Sequence, residues 1–199
     1  MIIAKIFVYR DAEGLSLKNK LKPYGLLVLV AGVIIALDQI TKAIVINNIQ
    51  MGGTWMPLEW LAPYARIVHW YNTGVAFGMF QNGNTIFSIL AIIVSIAIIW
   101  YFPQVPKADW PLRLAMCLQL GGAMGNLIDR LVIGHVTDFI SVGDFPVFNV
   151  ADSAITIGVV VLVIGVWLQE RREKQNAPIN PEPPADDDHQ PAAFQQSHE

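Results

Sequence analysis

Residues 134–158 read GHVTDFISVGDFPVFNVADSAITIG, a stretch that places two aspartates beside apolar runs. Its second half opens an apolar run over 148–168, close to the roughly 20 residues that cross a bilayer. Its first half follows another apolar run as a short connection. Asp138 and Asp152 stand where these two runs meet that connection, with 13 residues between them. A carboxylate at the edge of a hydrocarbon layer is costly to place, so an ionisable residue there marks a functional site by default. Two of them point to paired acid/base chemistry at a membrane surface.

Three further apolar runs cover 24–46, 85–102 and 112–128. The chain has 199 residues, is 54% hydrophobic and has a mean hydropathy of +0.45. Charged residues make up 15%, against roughly 25% in soluble proteins. The predicted fold is an all-α integral membrane protein of four transmembrane helices. A small extracytoplasmic β-sheet and loop are predicted between helices 1 and 2, because ARIVHWYNTG alternates like a strand before a turn. The run over 112–128 is the least clean, with Arg113, Gln119, Asn126 and Asp129 in or beside it. The first run is too long for a signal-peptide core and is interrupted by Asp38 and Lys42, so it reads as a retained helix.

The predicted organisation is a cytoplasmic basic leader over 1–22, a four-helix transmembrane domain over 23–170 with its outer loop at 47–84, and a disordered cytoplasmic tail over 171–199, rich in Pro, Asp and Gln. Basic residues set the orientation. Lys5, Arg10, Lys18, Lys20 and Lys22 precede the first run, Lys107 and Arg113 sit between the second and third, and Arg171, Arg172 and Lys174 follow the fourth. Both termini and the middle loop are therefore predicted in the cytoplasm, and the two aspartates at the outer face. The net charge of −3 owes much to Asp186, Asp187 and Asp188 of the tail, and no basic surface for nucleic acid is gathered. The single cysteine, Cys117, excludes a disulfide framework.

Each polar residue carries a plain reading beside a sharper one. Gly122, Asn126 and Arg130 share one helix face. They form either a packing face, with Arg130 paired to Asp129, or donors for a substrate carbonyl or lipid head group. Gly121 and Gly125 form a small-xxx-small pattern that admits a neighbouring helix. Asn149 and Asp152, at i and i+3, are first-turn residues in one reading and part of an acid pair in the other. Asp38 and Lys42, at i and i+4, make either a structural ion pair or a lipid contact. Asn72 and Gly74 form either a simple turn or a clamp on an extended peptide. A carboxylate pair shares one proton and titrates as a unit. Such a pair hydrolyses a peptide bond without metal or cofactor. His69, His135, His189 and His198 have no zinc-binding spacing, and Ser153 lacks a partner histidine. Two rivals stand beside hydrolysis: a proton relay through Asp38, Asp129 and Asp152, and an assembly factor whose polar residues bind helices together.

LDQITK, YNTGVAFGMF, GGAMGNLIDR, GHVTDFI and FPVFNVADSAITIG together resemble the bacterial lipoprotein signal peptidases (signal peptidase II), in that family's order. The resemblance implies a four-helix inner-membrane aspartyl protease; the expected partner is the phospholipid bilayer, and the expected state a monomer. It would cut the signal peptide of a lipid-modified prolipoprotein just before the diacylglyceryl-cysteine. It implies catalysis by Asp138 and Asp152, and a substrate site shaped by Asn72, Gly122, Asn126, Arg130, Asn149 and Ala151. Asp38, Lys42 and Asp129 would be structural or lipid-contacting.

Overall fold

A computed structural model describes residues 22–73 and 83–176. The leader up to residue 21, Gly74 and the tail from 177 lie outside the described residues. Four long helices are present among the described residues: α1 (Gly25–Asn48), α2 (Gly83–Tyr101), α3 (Trp110–Val132) and α4 (Val150–Asn176). Three short strands, β1 (Thr54–Trp55), β2 (Ala65–Asn72) and β3 (Val136–Val142), pair antiparallel in the order β1-β2-β3.

Three of the helices, α1, α2 and α4, are long and apolar enough to cross a bilayer. Their outward faces carry large exposed aliphatic side chains, such as Val28, Leu29, Ile96 and Val163. That surface is unfavourable in water and favourable in hydrocarbon. The more polar α3 packs on α1, α2 and α4 at once. Its polar residues Arg113, Asn126 and Asp129 are buried, facing protein groups that satisfy them rather than lipid.

Glycines set the helix spacing. A Cβ on Gly121 would lie 2.7 Å from Cβ of Ile34, one on Gly125 2.7 Å from Oδ2 of Asp38, and one on Gly122 would run into the carbonyl of Ala151. The small residues of α3 thus admit α1 on one side and α4 on the other. At the far end of the bundle, Arg113 donates to the carbonyls of Val105 (2.8 Å), Pro23 and Phe102, and its guanidinium lies 4.1 Å over the Phe102 ring. It ties together the starts of α1 and α3 and the end of α2.

The sheet differs from expectation in one respect. Only β1 and β2 come from the segment between the first two helices; β3 is the connection that carries Asp138. Asp138 is therefore a strand residue, not a loop residue. β3 lies against β2, and the segment entering α4 is bonded back onto it, with Phe148 N–H donating to the Ile140 carbonyl at 3.0 Å and Ile140 N–H to the Phe148 carbonyl at 2.8 Å. Gly143 turns the chain between them at φ +51°, a backbone region that favours glycine. The last helix runs to Asn176, six residues into the segment predicted to be disordered. Its Glu, Arg and Lys residues are good helix formers, and Arg171 stacks 3.8 Å over Trp167.

Replacing Gly121 by Val should separate α1 from α3 and cost about 1–3 kcal/mol. Gly32 is the control: a Cβ added there would meet nothing within 4 Å, and Gly32→Ala should lose no stability. Thermal unfolding in detergent measures both, and equal midpoints would show that the Gly121 contact does not set the spacing.

Candidate active site

Asn149 is the residue from which the site is built. It caps α4, its Oδ1 accepting the backbone N–H of Asp152 at 2.9 Å while Asp152 Oδ2 accepts the backbone N–H of Asn149 at 3.2 Å. This reciprocal pair is a capping box with Asn and Asp in the two roles. The first-turn reading of Asp152 therefore holds, and it does not compete with the sharper one. The Asn149 amide also donates to Asp138 Oδ1 at 2.7 Å. One asparagine thus holds a carboxylate on either side, from β3 and from α4.

The other oxygen of each acid has its own amide. Asn126 Nδ2 donates to Asp152 Oδ1 at 2.7 Å, and Asn72 Nδ2 donates to Asp138 Oδ2 at 3.1 Å. Asn72 reaches Asp138 because Trp70 pairs directly with Asp138 across β2 and β3, which makes Asn72 a diagonal neighbour on the same face. A register shift between Ile67 and Trp70 sets that alignment, as bulges beside functional sites do.

Behind these amides lies a buried ion cluster. Lys42 Nζ meets Asp38 Oδ2 at 2.8 Å, Asp129 Oδ2 at 2.9 Å and Asn126 Oδ1 at 3.0 Å. Asp38 accepts the Ala151 N–H (2.9 Å) and Asp129 the Thr137 N–H (3.1 Å). All three charged residues are buried, which matches the structural alternative rather than lipid contact. The predicted Asp129–Arg130 pairing is not what forms, since Asp129 is taken by Lys42. Arg130 instead lies 5.5 Å from the Phe87 ring, and its buried Nε has no hydrogen-bond partner among the described residues.

A cavity of about 510 Å³ is lined by Asn72, Gln119, Asn126, Arg130 and Asp152 among apolar residues of α2, α3 and α4. Asp152 also borders a second, apolar cavity of about 390 Å³ beside Phe145, Phe148 and Ile157. Asp138 is buried at 2% exposure. Burial, and then the charge of Asp152, raise its pKa from 3.8 to about 6; hydrogen bonds from Asn72 and Asn149 and the charge of Lys42 oppose that shift. Asp138 thus keeps its proton to a higher pH than an ordinary carboxyl, and Asp152 faces the open space.

Of the sequence candidates, Asn72, Asn126, Arg130, Asn149 and both aspartates converge here. Gly122 and Ala151 are buried in the α3–α4 contact, so they shape the site from behind and do not line it. Two contributors escaped the sequence reading. Gln39 bonds Asp129 Oδ1 at 2.8 Å, and its polarity within an apolar helix was a usable signal. Thr137 offers its backbone, for which no sequence signal exists. Ser153 Oγ donates to the Asn149 carbonyl at 2.9 Å, so this hydroxyl braces the helix start.

A family profile described as "Signal peptidase (SPase) II" matches residues 30–168. The chain belongs to the signal peptidase II family. It is 40% identical over 152 residues to a lipoprotein signal peptidase of Shouchella clausii, covering 74% of this chain and 97% of that one. A lipoprotein signal peptidase of Staphylococcus aureus is 33% identical over 155 residues, covering 76% and 93%. A solved bacterial membrane enzyme aligns with a TM-score of 0.66 at 31% identity, over 80% of this chain and 95% of the other. Membership makes the chain a peptidase of the aspartic type.

The raised pKa of Asp138 has a stability consequence with a defined sign. A carboxyl group that binds its proton more tightly in the folded state stabilises fully below its unfolded value, near 3.8, and loses that contribution as pH rises through about 6. The thermal midpoint should fall between pH 4 and 7 by an amount equivalent to roughly 2–3 kcal/mol. Asp138→Asn should flatten that slope; an unchanged slope would mean that another group titrates.

Proposed function

We propose that this chain is an inner-membrane endopeptidase that removes the signal peptide from diacylglyceryl-modified prolipoproteins, cutting just before the lipidated cysteine. The observation that carries this reading is Asn149, whose side chain and backbone hold Asp138 and Asp152 on either side of one amide. All four helices cross the bilayer in this reading, with α3 shielded from lipid by the others. The sheet lies at the outer face, and the exposed Trp55 and Trp70 of its strands, with Trp60 and Tyr64 of the segment joining β1 to β2, suit the membrane–water boundary.

The chemistry follows from the different surroundings of the two acids. Asp152, open to the cavity, takes a proton from water as the water oxygen attacks the scissile carbonyl carbon. Asp138, in the protonated form of the pair, gives its proton to the developing oxyanion. Collapse of the gem-diol returns one hydroxyl proton to Asp138, while Asp152 delivers its proton to the departing amine. Both acids end as they began, and no covalent intermediate forms. Arg130 and Asn72, at the cavity wall, are placed to hold carbonyls of an extended peptide. A substrate whose acyl chains stay in the bilayer arrives with its scissile bond at a fixed depth, which removes much of the entropic cost of alignment.

Asp138→Asn and Asp152→Asn should each lower cleavage of a lipidated prolipoprotein by about 100-fold or more, with both proteins folded and inserted. Retained processing in either variant would refute the dyad. A substrate with an unmodified cysteine should be cut far more slowly than its diacylglyceryl form, and gel mobility or mass reads the difference. Equal rates would remove the lipid-recognition part.

A further inference from the structure

Lys42 lies outside both cavities that Asp152 borders, yet it touches an amide that touches Asp152. An ammonium can only donate hydrogen bonds. At 3.0 Å from Lys42 Nζ, the Asn126 amide must therefore present its oxygen to the lysine. The same oxygen accepts Asn149 Nδ2 at 3.1 Å. With Oδ1 engaged twice, Nδ2 points the other way, onto Asp152 Oδ1 at 2.7 Å. A flipped Asn126 would set N–H groups against the ammonium and against Asn149, and an oxygen against a carboxylate. The relay extends further, since the Asn149 amide that meets Asn126 is also the one that meets Asp138.

The ammonium is itself fixed from two directions. Asp38 ties it to the first turn of α4 through the Ala151 N–H, and Asp129 ties it to β3 through the Thr137 N–H. A cluster that served only to hold helices together would need the two carboxylates and the lysine. The third donor, aimed at Asn126, is unnecessary for that purpose.

We propose that Lys42 is a positioning residue for the reaction: its ammonium sets the orientation of the Asn126 amide, which holds the Asp152 carboxylate toward the cavity and, through Asn149, aligns Asp138. This rests on the hydrolytic role proposed for Asp152.

Removing Lys42 alone would strand two buried carboxylates and threaten the fold. The test therefore compares two proteins, Asp38→Asn/Asp129→Asn with Lys42 kept, and the same pair carrying Lys42→Met. The expected result is a kcat at least about tenfold lower in the triple variant, with KM within about twofold and a thermal midpoint no lower than that of the double variant, since Lys42→Met also removes an uncompensated buried charge. Adding Asn126→Ala to both should abolish the difference between them. Equal kcat values in the first pair, or a difference that survives Asn126→Ala, would overturn the proposal. If the altered frame does not fold, Asn126→Asp in the otherwise unchanged chain decides. It keeps an acceptor for Lys42, and strengthens that pairing, but turns the donor toward Asp152 into an acceptor. A fall in kcat of about tenfold or more with the midpoint held supports the relay, and parental kcat refutes it. Failure of the hydrolytic reading is distinguishable, because it would leave Asp152→Asn active.

Discussion

A single buried ammonium governs this structure. Lys42, two per cent exposed in a largely apolar helix, meets two carboxylates and an amide oxygen within 3.0 Å. An uncompensated charge in such a place costs several kcal/mol, so the lysine, Asp38 and Asp129 are acceptable only together. Their mutual need brings α1, α3, the start of α4 and the start of β3 to one point. No amount of apolar burial could specify that meeting so narrowly, since lipid-facing and protein-facing aliphatic side chains gain little from exchanging places in a bilayer.

The same demand explains why α3 is unlike its neighbours. A helix carrying Arg113, Asn126 and Asp129 is poorly suited to lipid, and it takes the central position, where other helices supply partners. Its glycines let α1 and α4 come close enough for those partners to reach. Gly125 abuts Asp38 itself, so close packing and charge compensation occur at one contact. At the opposite end Arg113 finds three backbone carbonyls. The polar residues of α3 act at both ends of the bundle, one set joining helices and the other forming the site.

The site inherits its asymmetry from this arrangement. β3 carries Asp138 inward under the sheet, where burial and a neighbouring negative charge favour its proton. The cap of α4 presents Asp152 at the cavity wall. Two acids of the same kind are made different by their surroundings, which is what the proposed proton transfer in opposite directions requires. Asparagines do the holding throughout. An amide offers a donor and an acceptor at fixed separation, and can bind a carboxylate without neutralising it by charge.

Much was legible in the linear chain. The apolar runs located four helices within a few residues of every end except the last, where the helix continues beyond its run to Asn176, since hydropathy over such lengths admits few other structures. Asp138 and Asp152 stood out because carboxylates beside hydrocarbon are costly, and Asp38 with Lys42 because i, i+4 spacing pairs them. The strand at Asp138 was not legible, because a seven-residue element is defined by the partner β2 supplies. Nor was the exchange of partners that gives Asp129 to Lys42 rather than to Arg130, or the packing role of Gly122 and Ala151. Sequence spacing reports neighbours on one helix only. Which acid is buried, which faces open space and which amide joins them were decided when four helices and a sheet met, because burial and hydrogen-bond geometry are properties of the assembled fold.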